Sequence, residues 1–350
     1  MTTPTQPADE FACSRALDAL AGLLDAEGVA RALRLAHGMR DAGARARTLA
    51  VLARAVPSHD RPVIFEEALA AARSIGDPWR RVRALTPIGM RLRGEGRAAI
   101  AGEILEAALR VEGDWLRGRA LSLLANIADG EIRRKGLAAA LSLGAPSERA
   151  SALCAYAGDL PAQEVERLLA QAENTGDEWL RQTLLTSLAG RLTPAEIEGA
   201  LGMARRQPGA LRALTLAELA RAIPMRGPEL LEEALASART LDRPFDRAET
   251  LTALGSSAAA GAREAALAEA HAAARRVSDA SMRAMLLVGL LGPLQEPAKG
   301  EALAEAVAAA RNIGDPILQA ESLSGLVTHM AEAERGAVIE EVFRIFEDRA

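Results

Sequence analysis

Leucine recurs in one register along the whole chain. Ten anchor leucines, spaced 31 to 36 residues apart, have similar apolar and polar neighbours. They are Leu17, Leu49, Leu85, Leu121, Leu153, Leu185, Leu216, Leu251, Leu287 and Leu323. Apolar side chains follow the anchors at the third and usually the seventh position, which places them on one face of an α-helix. A repeat of this length predicts a stacked helical array, in which neighbouring units bury each other's apolar faces.

Helix-start signals come about eight residues before many anchors. Aspartate stands there as Asp9, Asp41, Asp77, Asp177, Asp279 and Asp315. Its carboxylate accepts hydrogen bonds from the first free amides of a helix. Alanine-rich segments before the start signals predict a companion helix, as at 61–75, 98–112, 162–175, 227–240, 262–277 and 298–313. The sequence therefore predicts an all-α protein: an α-solenoid, wound as a right-handed superhelix of about ten two-helix repeats with a period of about 34 residues.

The repeat continues without a visible linker. We expect residues 1–8 to be a disordered N-terminus and residues 9–350 to form a single α-helical repeat domain. The segment 334–350 carries Phe343 and Phe346 beside aliphatic residues. It is predicted to be a C-terminal capping helix, because the end units of an array must shield their apolar faces from water.

Arginine occupies the position four residues before the anchor in eight of the ten units. These residues are Arg45, Arg81, Arg117, Arg149, Arg181, Arg212, Arg247 and Arg283. One interpretation is structural: the guanidinium pairs with the cap aspartate or with the carbonyl end of the companion helix, while its stem packs on apolar surface. The other is functional: several guanidinium groups line a groove and bind carboxylates or phosphates. The sequence leaves both open.

An aromatic side chain recurs six residues before the anchor. Trp79, Trp115, Trp179 and Phe245 hold this position, which includes every tryptophan of the chain. Packing against the neighbouring unit is the expected role, since a large ring in the first turn of a helix can seal the joint between units. The alternative is an exposed anchor for a bound peptide.

Composition narrows the range of partners and compartments. The net charge of −5 argues against a nucleic-acid binder, which normally has a basic domain, although a local basic stripe would still allow one. Cys13 and Cys154 form no CxxC motif, so we expect reduced thiols and a cytoplasmic protein. Residues 1–8 lack the features of a signal peptide, and the chain has no apolar run long enough for a membrane span.

Templates for catalysis and metal binding are not met. The four histidines, His37, His59, His271 and His329, are scattered over the chain. They form neither an HExxH motif nor a His/Cys cluster at metal-ligand spacing. Carboxylate pairs such as Glu66-Glu67, Glu232-Glu233 and Glu340-Glu341 are expected to lie on solvated helix faces. The sequence therefore predicts a protein that is not an enzyme and needs no cofactor or metal.

The paired helices resemble tetratricopeptide-like and HEAT-like α-solenoids over residues 9–350. The segments IGDPWRRVRAL and IGDPILQAESL look like a bacterial variant of such repeats. The tetratricopeptide pattern of large residues is not met, since Tyr156 is the only tyrosine. The resemblance implies a scaffold that binds proteins or peptides and has no catalytic residues to carry over.

We therefore expect an interaction scaffold or adaptor that uses the concave face of the solenoid. Its partner would be an unidentified protein or peptide, acidic if the arginines face it. Two alternatives stay open. One is binding of the nucleic-acid phosphate backbone by a HEAT-like array, and the other is a small-molecule sensor or enzyme with a pocket in the solenoid.

Overall fold

The computed structural model describes residues 7–348, and each anchor leucine lies in a helix of its own. These anchor helices are α1 (Pro7–Leu20), α3 (Ala42–Leu52), α5 (Pro78–Arg91), α7 (Asp114–Ala125), α9 (Pro146–Cys154), α11 (Glu178–Leu188), α13 (Gly209–Ala222), α15 (Pro244–Gly255), α17 (Ala280–Leu291) and α19 (Pro316–Leu326). A companion helix follows each of them: α2 (Ala26–Gly38), α4 (Arg61–Arg73), α6 (Gly94–Arg110), α8 (Gly130–Leu141), α10 (Ala162–Asn174), α12 (Pro194–Arg206), α14 (Gly227–Arg239), α16 (Ala260–Ala274), α18 (Ala298–Arg311) and α20 (Glu332–Glu347). The predicted all-α repeat of paired helices is confirmed. Of the predicted disordered N-terminus, residues 1–6 lie outside the described residues, whereas Pro7 and Ala8 begin α1.

Aspartate caps begin several anchor helices, as the sequence predicts. The carboxylate of Asp41 accepts from the Ala44 amide at 2.8 Å, and Asp279 accepts from Met282 at the same distance. The carboxylates of Asp77, Asp177 and Asp315 accept amide hydrogen bonds in the same way. Asp9 differs, because α1 begins two residues before it and Asp9 lies inside the first turn.

The anchor leucines form the centre of one continuous core. Each is at most 1% exposed, and all ten belong to a single cluster of buried side chains. Alanine supplies many of the other contacts in this core, which lets neighbouring helices approach closely. Because the core runs through every unit, no unit buries its apolar face alone.

The array closes into a ring. Each anchor helix packs against the anchor helices of the units before and after it, and α1 packs against α19 in the same manner. An open right-handed superhelix would leave α1 and α19 apart, so the structure differs from that prediction. Ten units complete one turn, and each therefore adds about 36° of rotation.

The rotation comes from unequal spacing in the two layers. Neighbouring anchor helices are all in contact on the inside, whereas on the outside α6 and α8 pack together and five other pairs of companion helices are bridged by long side chains. The bridging ion pairs are Arg73–Glu103, Arg205–Glu233, Arg239–Glu269, Arg275–Glu305 and Arg311–Glu341. Several carboxylates expected on merely solvated faces, Glu233 and Glu341 among them, thus connect neighbouring units. Such pairs hold the outer layer at the width of two extended side chains, which bends the array inward.

The helix α20 joins the two ends of the chain instead of covering an open one. It packs on α19, and its Phe343 ring lies under the guanidinium of Arg31 in α2, with 4.4 Å between the guanidinium carbon and the ring centre. The same guanidinium donates to Glu340 and Glu347, at 2.6 and 2.9 Å. Arg15 of α1 and Glu321 of α19 form a further ion pair across this seam.

Helix spacing fixes the size of the opening. For ten anchor helices at the usual separation of about 8–10 Å and with the usual diameter of about 10–12 Å, we expect a central pore of roughly 15–20 Å. An extended chain or one α-helix fits through such a pore. We use "inner wall" for the pore-facing side of the ten anchor helices.

Candidate functional site

The repeated arginines bind the ends of the companion helices. The Nε atom of Arg81 donates to the carbonyl of Ile75 at 2.8 Å, and Arg117 donates to Val111 at 3.0 Å. Arg45, Arg149, Arg247 and Arg283 make the equivalent bond to the carbonyl six residues earlier. Arg181 donates to the carbonyls of Ala172 and Thr175. Arg212 differs, since its Nε donates to the Ser237 hydroxyl at 2.8 Å.

These bonds satisfy helix-end carbonyls that have no partner within their own helix. They also show how a cation is stabilised near a helix N-terminus, where the helix dipole disfavours it. Seven of the eight repeated arginines therefore join a companion helix to the anchor helix that follows it, and Arg212 joins α13 to the companion helix after it. Whether they also bind a ligand stays a prediction.

Replacing Arg81 with alanine is expected to lower the free energy of unfolding by about 1–3 kcal/mol, because a partly buried carbonyl loses a charged donor. Urea unfolding measures this change. Arg83→Ala is the matched control in the same helix, since Arg83 is exposed and donates to no carbonyl within residues 7–348, and it should change stability by less than about 0.5 kcal/mol. Equal losses in both variants would contradict the structural role of Arg81.

The aromatic position is not uniform. Trp79 and Phe245 pack against the core, whereas Trp115 and Trp179 are 58% and 69% exposed. The first two rings are therefore partly buried, the other two are mostly in solvent, and the role of this position stays a prediction. Arg83 lies over the Trp79 ring and Arg119 over the Trp115 ring, at 5.9 and 5.7 Å from the ring centres.

A different position faces the pore. The residue two places before the anchor lies about 200° around the helix, nearly opposite the buried leucine. In chain order these residues are Arg15, Arg47, Arg83, Arg119, Ser151, Thr183, Leu214, Glu249, Met285 and Glu321. All of them are exposed or half-buried, in contrast to the leucines they accompany.

Contacts between non-adjacent units show that this side is concave. Arg91 of α5 donates to Asp18 of α1 at 3.2 Å, although α3 lies between the two helices. Arg15, Arg83 and Arg91 also lie near enough to Arg47 for their positive charges to lower the pKa of its guanidinium. Side chains of next-nearest helices converge only where the surface curves toward them. The anchor helices therefore form the inner wall.

Four consecutive anchor helices place arginine on the inner wall. Arg15, Arg47, Arg83 and Arg119 come from α1, α3, α5 and α7, and we call them the basic arc. Among residues 7–348, only Arg15 of these four has a carboxylate at ion-pair distance. Burial lowers the pKa of the Arg47 guanidinium and the positive charge of Arg83 lowers it further, whereas the carboxylate of Asp18 opposes this shift. The four arginines of the basic arc thus outnumber the carboxylates near them, Asp18 and Glu321, as cations do in binding sites for anions.

The rest of the inner wall is mixed in character. Met282, Met285 and Leu318, from α17 and α19, are each about half exposed. Glu249 of α15 is also exposed. Met282, Met285 and Leu318 therefore form an apolar patch next to the α1 end of the basic arc. The Arg15–Glu321 pair lies where the patch and the arc meet.

Sequence reasoning selected the arginines that repeat in nearly every unit and missed the basic arc. The signal was present in the same alignment, as arginine two places before the first four anchors. It changes to serine, threonine and leucine in the next three units. Arginines that occupy this position in only four of the ten units are not explained by the packing that all units share.

No helix within the described range has both the length and the apolarity to cross a membrane. On the outer layer, the His37 ring lies 2.9 Å from a carboxylate oxygen of Glu67, and the His271 ring lies 3.1 Å from one of Glu305. Comparison with protein-family models and with curated proteins finds no match to this chain. The likeness to tetratricopeptide and HEAT arrays therefore rests on the paired-helix repeat alone.

Proposed function

We propose that this protein is a non-enzymatic interaction module that holds an acidic segment of a partner protein inside its ring. The basic arc carries the proposal. Three of its four guanidinium groups have no carboxylate partner among the described residues, although ion pairs are abundant on the outer layer. Carboxylates from a bound segment would supply the missing partners, and guanidinium groups bind them through two parallel hydrogen bonds.

The closed ring favours such binding in a second way. Its inner wall is fixed by packing on both sides of every anchor helix, so the arginines are positioned before the partner arrives. Preordered groups reduce the entropy lost on association. The pore of roughly 15–20 Å accommodates one helix or one extended segment, and not a folded domain.

The mixed inner wall favours a protein segment over a nucleic acid. A polyanion lining the pore would meet Glu249 and Glu321, and it would leave Met282, Met285 and Leu318 without apolar contacts. An acidic protein segment with some apolar side chains can match both the arc and the patch. The net charge of −5 also favours a protein segment over a nucleic acid.

Single-stranded nucleic acid is the second candidate. The pairs Trp79–Arg83 and Trp115–Arg119 favour it, because aromatic rings next to arginines can stack bases and hold phosphates. For its location we propose the cytoplasm, since free cysteines such as Cys13 and Cys154 fit a reducing compartment.

Fluorescence anisotropy with four labelled probes tests the proposal. The probes are a glutamate-rich peptide, the same peptide with glutamine for glutamate, oligo(dT) and oligo(U), each measured at about 50 and 200 mM salt. We expect the acidic peptide to bind more tightly than the other three, with an affinity that falls as salt screens the arginines. Tighter binding of either oligonucleotide would favour the second candidate. Equal affinity for the glutamate and glutamine peptides would refute a charge-selective inner wall.

A further inference from the structure

Positive charge is concentrated at one point of the basic arc. The half-buried Arg47 of α3 lies close enough to Arg15, Arg83 and Arg91 for their charges to act on it. The four arginines come from three consecutive anchor helices, α1, α3 and α5. Because like charges repel each other most strongly where they are partly removed from water, an anion between these side chains would stabilise them.

The carboxylates of the chain balance half of this charge. Arg91 lies 3.2 Å from Asp18, and Arg15 pairs with Glu321. The other two arginines of the group have no ion-pair partner among residues 7–348. Four arginines against two carboxylates therefore leave two positive charges unbalanced.

A small cleft is lined by the two unbalanced arginines, Arg47 and Arg83. Gly43 lines it at the position that is aromatic in α1 and α5. Arg80 and Asp41 line it as well, but they pair with each other. The cleft holds about 30 Å³, which is room for a water molecule or two and not for a side chain. It can therefore admit one oxygen of an anion whose other oxygens stay at its mouth.

We propose that Arg47 and Arg83 bind one phosphate monoester, carried by a phosphorylated side chain of the bound segment. This inference rests on the proposed function and specifies its ligand: an acidic segment that contains phosphoserine, phosphothreonine or phosphotyrosine. A phosphate monoester carries close to two negative charges at neutral pH, which matches the two unbalanced arginines, whereas a carboxylate carries only one. Its three acceptor oxygens suffice for one in the cleft and one on each guanidinium.

Three peptides separate this inference from the proposed function. They share one glutamate-rich sequence and have phosphoserine, glutamate or serine at the centre. We expect the phosphoserine peptide to bind about tenfold more tightly than the glutamate peptide, since it brings one more charge and one more acceptor oxygen. If these two bind equally, the inference fails while the acidic-segment proposal stands. If none of the three binds, the proposed function fails as well.

Arg47→Gln and Arg110→Gln form a matched pair of variants. Each removes one positive charge, but Arg110 is an exposed residue of the companion helix α6, 3.9 Å from Glu106 of the same helix. We expect Arg47→Gln to reduce the advantage of the phosphoserine peptide to about twofold or less, and Arg110→Gln to preserve it. A preserved advantage in Arg47→Gln would overturn the inference.

Competition identifies the source of the phosphate group. Inorganic phosphate and oligo(dT) are each added to the complex with the labelled phosphoserine peptide. We expect both to displace it at least about tenfold less effectively than the unlabelled phosphoserine peptide does, because the segment adds its own contacts and a phosphodiester carries only one charge. Equal displacement by inorganic phosphate would assign the site to a free ion, and equal displacement by oligo(dT) would assign it to nucleic acid. Either result would overturn the inference.

Phosphorus NMR needs no variant. The second pKa of a phosphate monoester is about 6 in water. Two unbalanced guanidinium groups favour the dianion over the monoanion, and a tenfold preference for the dianion lowers the second pKa of the bound phosphoserine by about one unit. Titration of the phosphorus chemical shift in the complex measures this pKa. An unchanged value in the complex would overturn the inference even if Arg47→Gln failed to fold.

Discussion

Replacing Phe343 with alanine is expected to lower the free energy of unfolding by about 3–5 kcal/mol. The ring is fully buried in α20, and the guanidinium of Arg31 lies 4.4 Å from its centre. Truncation leaves a cavity at the seam and removes the surface against which Arg31 is held. Urea-induced unfolding measures the loss.

The location of the damage distinguishes a ring from an open array. In an open array, a cavity in the last helix would loosen only the C-terminal units. In the ring, α20 also supports α1 and α2, more than 300 residues away in sequence. We therefore expect faster amide hydrogen exchange in α1 and α2 as well as in α19 and α20, with α9–α11 unchanged.

Leu168→Ala is the matched control. Leu168 is a buried residue of the companion helix α10, on the opposite side of the ring from the seam. Its truncation should accelerate exchange in α9–α12 and leave α1 and α2 protected. If Phe343→Ala left exchange in α1 and α2 at the native rate, the packing of the two chain ends against each other would be contradicted.

The features that the sequence predicted well are those that each unit repeats for its own folding. Leu185 marks a buried helix face, and Asp177 marks the start of that helix. Both signals are local, since helical periodicity and capping act within about one turn. The same signals predicted paired helices along the chain, and the companion segments that were given bounds, such as 61–75 and 298–313, lie within a few residues of the helices in the structure.

Closure of the ring was not predictable by the same means. It depends on the rotation between units, and a few degrees' change per unit would separate α1 from α19 after ten repeats. The groups that set this rotation, such as Arg239 and Glu269 on α14 and α16, read in the sequence as ordinary charged positions. Only the short distance between the two side chains in the folded structure shows that they connect neighbouring units.

The basic arc was missed for a related reason. A residue that recurs in nearly every unit, such as Arg81, serves what all units share, which here is a carbonyl at the end of the companion helix. A residue that departs from the repeat, such as Arg83 or Gly43, is free to differ because packing does not fix it. In a repeat protein the candidate binding residues are therefore the irregular ones at pore-facing positions.

Neutralising Arg47 and Arg83 together, as Arg47→Gln with Arg83→Gln, is expected to weaken binding of the acidic peptide about a hundredfold or more. Each charged hydrogen bond to a carboxylate contributes about 1.5–3 kcal/mol, and the double variant removes at least two. Stability should not fall, because burial and the neighbouring charge already disfavour the Arg47 cation in the folded state. Anisotropy titration gives the affinity, and urea unfolding gives the stability.

The double variant Arg110→Gln with Lys135→Gln controls for net charge. It removes the same two positive charges from the outer layer, where they pair with Glu106 and Glu131 of their own helices and bridge no units. Its affinity should stay within about threefold of the native value, since outer charges are screened from the pore over about 10 Å at moderate salt. Equal weakening in the two double variants would mean that overall charge, and not the basic arc, attracts the peptide. A loss of stability in the inner variant with unchanged affinity would assign Arg47 and Arg83 to folding. We expect weaker binding with undiminished stability. Residues with that combination serve a ligand, although their charges repel each other in the folded protein.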